Sequence, residues 1–123
     1  MMDKAAEDKA AGMKLGVRIR LFQGDCLAYG KGVNQLLLVC ARCHSLHKAA
    51  QELGMSYRKA LQIVQRAEKC FGKPLLARTI GGKDGGGSQL TLFAQELVLG
   101  FSRVEAEIEA LALEKLRQAN IIE

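Results

Sequence analysis

The stretch SLHKAAQELGMSYRKALQIVQRAEKCFGKP, residues 45–74, predicts two helices joined by a short turn. Ser45 has a side chain suited to cap a first helix over residues 46–53. Gly54 follows, where the end of a helix favours a residue that tolerates positive φ. Ser56 is placed to cap a second helix. Two helices joined by a three-residue turn that contains glycine are typical of a helix-turn-helix.

The second helix is predicted to run to about Phe71, because its apolar residues recur close to the 3.6-residue period. Gly72 and Pro74 then end it. Residues 75–80 predict a strand, and a shorter strand returns around Leu90. The glycine-rich sequence GGKDGGGS between them lacks the spacing of a nucleotide-binding loop. A strand pair with such a tip, directly after a helix-turn-helix, predicts a wing.

Upstream of this motif, the sequence predicts one strand and one helix. Val17, Ile19 and Leu21 alternate with arginines, which is the pattern of a short, half-buried strand. A helical pattern begins at Gly32. The first 13 residues are rich in charge and are expected to form a disordered tail.

The C-terminal part of the chain predicts one long helix. Thr91 is suited to cap it, and the helix is expected over residues 92–119. Apolar residues recur there at alternating spacings of four and three, the heptad pattern of paired helices: Leu97, Phe101, Val104, Ile108 and Leu111. Because this stripe is longer than one small domain can cover, it predicts a homodimer. The alternative is a helix that folds back over the wing and core.

Charge is distributed unevenly along the chain. Residues 14–92 contain 13 Lys and Arg against 4 Asp and Glu, whereas residues 93–123 contain 3 against 6. A basic body suits a polyanionic partner such as nucleic acid. No stretch approaches the roughly 20 apolar residues of a membrane span, and the N-terminus lacks the apolar region of a secretory signal. We therefore expect a cytoplasmic protein that does not bind membranes.

The sequence CARCH, residues 40–44, matches the attachment signature of a c-type haem, but the expected cytoplasmic location argues against that interpretation. Four candidate metal ligands share one helix face, at i, i+3, i+4 and i+7: Cys40, Cys43, His44 and His47. A single straight helix rarely offers four ligands to one tetrahedral ion. Cys40 also fits the apolar face of the helix, where free cysteine behaves as a small hydrophobe. We predict no metal and no cofactor, and a metal or redox sensor remains the alternative.

The ordered series AAQELGMSYRKA, FGKPLLAR, a glycine-rich wing and LT opening a helix resembles the N-terminal DNA-binding domain of the molybdate-responsive ModE regulators. It is more distantly similar to LysR-type regulators. The resemblance covers about residues 14–118 and implies a mainly α fold with a small β wing (α+β), a winged helix-turn-helix with a long C-terminal dimerisation helix.

Three departures from the ModE pattern limit what the resemblance implies. ModE regulators continue into a β-rich domain that binds molybdate, whereas this chain stops after its dimer helix, so molybdate binding is not expected in it. Ala94 stands where the family often has glycine. The sequence ARCH replaces an acidic, glycine-bearing turn.

We expect three regions: a tail over residues 1–13, a DNA-binding domain over residues 14–91 and a dimerisation helix over residues 92–123. The expected function is that of a sequence-specific transcriptional regulator, which binds an inverted repeat in double-stranded DNA. In a helix-turn-helix, the second helix enters the major groove. The residues expected to contact DNA are Ser45, Lys48, Ser56, Tyr57, Arg58, Lys59, Gln62, Arg78 and Lys83.

The expected contacts differ in kind. Arg58 and Lys59 are donors suited to guanine, and Gln62 is suited to adenine. Arg78 and Lys83 belong to the wing and are expected at the flanking backbone or minor groove. No residue set offers a nucleophile beside a base, so no enzyme is expected. A protein-interaction module that uses the acidic C-terminal helix is a second alternative.

Overall fold

The structure is a computed structural model, and it describes residues 12–79 and 87–123. The helices within this part of the chain are α1 (Lys31–Cys43), α2 (Leu46–Glu52), α3 (Tyr57–Phe71) and α4 (Leu92–Gln118). The strands are β1 (Leu21–Gln23), β2 (Cys26–Tyr29), β3 (Leu76–Thr79) and β4 (Gly87–Leu90). Among the described residues, no helix combines the length and the apolar character that crossing a membrane requires.

The chain divides into two compact units. One comprises Ile19–Ser102, and the other combines the described residues 12–18 with Arg103–Glu123. Helix α4 contributes its first eleven residues to the former and the remainder to the latter. The predicted boundary between residues 91 and 92 stays a prediction, as does the tail, of which residues 1–11 lie outside the described part.

The N-terminal strand prediction was wrong in position. The alternating stretch around Val17 and Ile19 forms no strand, and the observed hairpin pairs β1 with β2 in antiparallel fashion. Gly24 makes the tight turn between them, with φ of 58°. A strand requires a hydrogen-bonded neighbour as well as an alternating pattern. Here the neighbouring strand is β2, which pairs with Leu21 at the end of the alternating stretch but not with Val17 or Ile19.

Helix α1 begins at Lys31, close to the predicted start. It buries Val33, Leu36, Leu37 and Cys40 on one face. The next two helices have the predicted caps, and Gly72 ends α3 in the left-handed conformation with φ of 68°. The predicted helix-turn-helix is therefore confirmed.

The predicted wing strands are also observed. Strand β3 pairs with β4 in antiparallel register, and Arg78 lies opposite Ser88. Thr91 caps α4 as predicted, because its Oγ1 accepts a hydrogen bond from the backbone N–H of Ala94 at 3.2 Å. The fold is therefore the predicted α+β winged helix-turn-helix.

A buried aromatic contact joins α4 to the rest of the core. Tyr29 packs edge-on against Phe101, with ring centroids 4.9 Å apart. Its hydroxyl donates a 2.6 Å hydrogen bond to Oδ1 of Asn34, and Nδ2 of Asn34 donates to Ser102 Oγ at 3.3 Å. These bonds satisfy the amide of Asn34, which is buried.

The residues predicted for the dimer seam fall into two groups. Phe101 is buried in the core against Tyr29, and Leu97 is half-buried beside that core. Val104, Ile108 and Leu111 are 43%, 40% and 59% exposed. The first group packs within the winged-helix unit because α4 starts as part of that unit. Of the predicted seam residues, only Val104, Ile108 and Leu111 keep an exposed apolar surface.

Candidate nucleic-acid interface

Two serine caps set the geometry of the helix-turn-helix. Ser45 Oγ accepts a hydrogen bond from the backbone N–H of Lys48 at 3.2 Å, and Ser56 Oγ accepts one from Lys59 at 3.1 Å. Gly54 adopts φ of 71° in the turn between the helices. Each hydroxyl still has its own O–H to donate. Both helix N-termini can thus present a donor to a phosphate oxygen.

Helix α3 has one buried face and one polar face. Ala60, Val64 and Ala67 are buried, which leaves the opposite side of the helix in solvent. The exposed side chains of its first two turns are Arg58, Lys59 and Gln62. Among the described residues, neither Arg58 nor Lys59 pairs with a carboxylate. The charged donors of this face are therefore available to a ligand.

A stacked pair of rings joins the two helices of the motif. The imidazole of His47 lies parallel to the ring of Tyr57, with centroids 4.1 Å apart and planes inclined by 3°. His47 is exposed on α2, and Tyr57 is the half-buried first residue of α3. From the sequence, His47 was a candidate metal ligand only. The ten-residue separation contained no signal of this stacking, which depends on the angle between the helices.

The wing places one predicted contact residue near the helices. Arg78 is exposed on β3, and it lines a cleft together with Tyr57 and Leu46. The wing tip, with Lys83, lies outside the described residues. The structure thus brings Arg78 to the side of the helix-turn-helix and leaves the role of Lys83 a prediction.

The base of the wing is fastened to α3 by a carboxylate that was not predicted from the sequence. Glu68 Oε2 accepts hydrogen bonds from the backbone N–H groups of Leu75 and Leu76, at 2.8 and 3.4 Å. Thr91 adds a bond from its hydroxyl to the carbonyl of Pro74 at 2.8 Å. These contacts hold the wing in a defined position relative to α3. Nothing in the local pattern around Glu68 distinguishes it from a solvated surface glutamate.

A family model for bacterial regulatory helix-turn-helix proteins of the lysR family matches residues 34–95, half of the chain. This match extends from the first turn of α1 through the helix-turn-helix and wing to the start of α4. The chain belongs to the lysR family of helix-turn-helix proteins. The predicted resemblance to LysR-type regulators is thereby confirmed, and the fold is that of a bacterial regulatory protein.

Curated relatives of this lysR-family chain support the ModE resemblance. The chain is 35% identical over 71 residues to the transcriptional regulator ModE of Haemophilus influenzae, covering 58% of this chain and 28% of the relative. It is 34% identical over 76 residues to the molybdenum-pterin-binding protein MopB of Rhodobacter capsulatus, covering 62% and 28%. The molybdenum transport protein ModE of Azotobacter vinelandii is 31% identical over 84 residues, covering 68% and 31%. The chain thus spans less than a third of the length of these relatives.

The CARCH sequence closes α1 of this lysR-family fold. His44 adopts the left-handed conformation with φ of 56°, and its N–H donates to the carbonyl of Cys40 at 2.7 Å. Its own carbonyl accepts a 2.9 Å bond from Ser88 in the wing. Within residues 12–79 and 87–123, no group of three or more His, Cys, Asp or Glu side chains is arranged to hold a metal. The hydrogen bond between His44 and Ser88 joins the end of α1 to β4.

The two cysteines of this turn have different surroundings. Cys40 is buried, and burial, followed by the nearby Cys43, raises the pKa of its thiol. Cys43 is half-buried, and its Sγ lies 3.7 Å from Oε2 of Glu52, which is also paired with Arg42. A thiol whose pKa is raised is a weaker nucleophile and metal ligand at neutral pH. Cys40 is thus a core residue, as the sequence predicted.

Proposed function

We propose that this chain binds double-stranded DNA sequence-specifically in the cytoplasm, with α3 in the major groove. The proposal is carried by the exposed donors Arg58, Lys59 and Gln62 on the first two turns of a capped α3. A helix with this placement presents its N-terminal side chains to base edges. Membership of the lysR family supports the same function.

The proposed contacts sort into base readout and positioning. Arg58 and Lys59 have the donors that recognise O6 and N7 of guanine, and Gln62 can pair with adenine. Lys48 and the capping hydroxyl of Ser45 lie at the start of α2, where they are suited to phosphates. The remaining proposed contacts are Ser56, Tyr57, Arg78 and Lys83. This division predicts that Arg58, Lys59 and Gln62 determine the sequence preference, whereas the phosphate contacts mainly contribute affinity.

We further propose that the protein acts as a homodimer on an inverted repeat. The proposal rests on the exposed apolar residues Val104, Ile108 and Leu111, which follow one another at heptad spacings. Two copies joined in this way would present two α3 helices to half-sites about one DNA turn apart. In this proposal, Ile19–Ser102 recognises DNA, and the C-terminal half of α4 forms the dimer.

The test of DNA reading is a selection of bound fragments from genomic DNA. Wild type is compared with an Arg58→Ala, Lys59→Ala variant, and affinities for the enriched site are measured by fluorescence anisotropy. We expect wild type to enrich an inverted repeat, and we expect the variant to bind it about 50-fold more weakly, because two base contacts are lost. The genes beside the enriched sites test whether the molybdenum link in the relatives' names extends to this chain.

The matched control is an Arg66→Ala, Lys69→Ala variant, which loses the same two charges from exposed positions near the other end of α3. It should keep the sequence preference of wild type and lose only a few-fold in affinity through general electrostatics. If the two variants lost affinity for the enriched site equally, the loss would be explained by the removal of positive charge alone. Wild type that enriches no sequence would contradict specific DNA reading.

The ring stack between His47 and Tyr57 predicts a smaller effect. His47→Ala removes one face of the stack, so the Tyr57 ring is less well held at the start of α3. We expect about a fivefold loss of affinity for the enriched site, since aromatic pairs contribute roughly 0.5–1.5 kcal/mol. His47→Phe, which restores a stacking ring without the imidazole nitrogens, should recover the affinity. If His47→Phe binds the enriched site as weakly as His47→Ala does, the imidazole itself contacts DNA, and His47 does not act by positioning Tyr57.

A further inference from the structure

Two cysteines that belong to no proposed DNA contact lie against each other in the winged-helix unit. Cys26 is the first residue of β2 and Cys70 is the next-to-last residue of α3, 44 positions further along the chain. Their Sγ atoms are 2.9 Å apart, and both thiols are free. A disulfide bond is about 2.05 Å long, so the two sulfur atoms would approach each other by about 0.9 Å in forming one.

The surroundings of this pair are open and basic. Cys26 is exposed, Cys70 is half-buried, and both line a surface pocket with Arg66 and Lys69. The pocket also includes Gln23 and Gln65. The thiolate is the form of a cysteine that reacts with oxidants, and an exposed thiol can reach them from solvent. An accessible thiol with a second one in reach is the arrangement of a redox-active pair.

We propose that Cys26 and Cys70 form a peroxide-sensitive dithiol site that closes a reversible disulfide between β2 and α3. Cys26, the exposed partner, loses its proton to solvent and attacks one oxygen of a hydroperoxide. The S–O bond forms as the O–O bond breaks, which leaves a sulfenic acid on Cys26. The leaving oxygen takes a proton from solvent and departs as an alcohol, or as water when the oxidant is hydrogen peroxide.

The second step completes the exchange of two electrons. The sulfur of Cys70 attacks the sulfur of Cys26, the S–S bond forms, the S–O bond breaks, and hydroxide leaves as water with the proton of Cys70. The two thiols are oxidised and the peroxide is reduced. A small thiol reductant reverses the reaction by thiol–disulfide exchange.

The order of the two cysteines follows from their exposure. Cys26 is exposed and meets the peroxide first, whereas Cys70 is half-buried and acts second. The contact with Cys26 also raises the pKa of the Cys70 thiol, while the charges of Arg66 and Lys69 oppose that shift. The site stands independently of DNA binding, because it lies at the opposite end of α3 from Arg58.

The experiment uses the full chain, reduced and then freed of reductant. The protein is treated with stoichiometric hydrogen peroxide, its remaining thiols are alkylated in denaturant, and tryptic peptides are identified by mass spectrometry. We expect one linked pair of peptides, LFQGDCLAYGK (residues 21–31) with CFGKPLLAR (residues 70–78). The alkylating reagent should label Cys40 and Cys43, and dithiothreitol should restore all four thiols.

Thermal unfolding provides a second measurement. Because the disulfide would close a long loop, the oxidised protein should melt about 10 °C higher than the reduced protein. Cys26→Ser and Cys70→Ser should abolish both the linked peptides and this rise, whereas Cys43→Ser should keep them. Comparison of the reduced proteins shows whether the variants fold as wild type does.

The proposal would be overturned by a disulfide between Cys40 and Cys43, by disulfide-linked dimers, or by four free thiols after treatment. It would also be overturned if Cys26→Ser and wild type gained the same thermal stability from peroxide. None of these measurements involves DNA, so failure of the DNA-binding proposal leaves this test intact.

Discussion

We expect that replacing Ile108 and Leu111 with lysine will convert the proposed dimer to a monomer and lower its affinity for an operator of two half-sites by about 1,000-fold. Both side chains belong to the exposed apolar part of α4, and a charge placed in a paired-helix seam must be either desolvated or expelled. In a dimer, the second half-site is bound at a high effective concentration, and a monomer loses that gain, which is commonly 100- to 10,000-fold. Sedimentation equilibrium measures the mass, and fluorescence anisotropy measures the affinity.

The control for this variant is Ala106→Lys, Ala110→Lys. Both alanines are exposed on α4, outside the heptad series, and the substitutions add the same two positive charges. This control should remain dimeric and should bind the operator at least as tightly as wild type, because added positive charge favours DNA. A lysine variant at Ile108 and Leu111 that stays dimeric would place the dimer interface elsewhere.

Leu75→Ala should lower the free energy of unfolding by about 3 kcal/mol, because it removes methyl groups from a fully packed site and leaves a cavity. Leu75 is fully buried where α3 meets the wing. Its N–H donates to Glu68, and its carbonyl accepts from the backbone N–H of Thr91 at 3.0 Å. Since a small domain is stable by only about 5–15 kcal/mol, the loss is large. Urea denaturation followed by circular dichroism measures it.

The same substitution at Leu38 is the matched control. Leu38 is 45% exposed on α1, so Leu38→Ala removes the same atoms from a site that water already reaches. We expect its free energy of unfolding to change by less than about 1 kcal/mol. If the two variants unfold at the same urea concentration, Leu75 is not the packing centre that its burial indicates.

Elements that depend on neighbours in the chain were predictable. The serine caps at Ser45 and Ser56 act on backbone groups three residues away, and Gly54 and Gly72 relieve the strain of positive φ at their own positions. The periodicity of α3 follows from 3.6 residues per turn. For this reason the helix-turn-helix and its exposed residues could be recognised from local sequence patterns.

Strand pairing and side-chain partners were harder to predict because they join distant parts of the chain. The alternation near Val17 indicated a strand but not its partner, and β2 pairs only with the residues from Leu21 to Gln23. Phe101 satisfied a heptad, yet the core of the winged helix buries it. One apolar side chain can fit two stripes of a helix, and only packing decides which surface receives it.

The motif, its caps, the wing strands and the exposed polar face of α3 were thus encoded in short stretches of sequence, since they arise from interactions within a few residues. The folded chain was needed to show that Glu68 holds the wing, that His47 stacks on Tyr57 and that Cys26 meets Cys70. Each of those contacts depends on the angle and distance between whole elements. These angles and distances are set by the packing of whole elements around the shared core, so they cannot be read from a local sequence pattern.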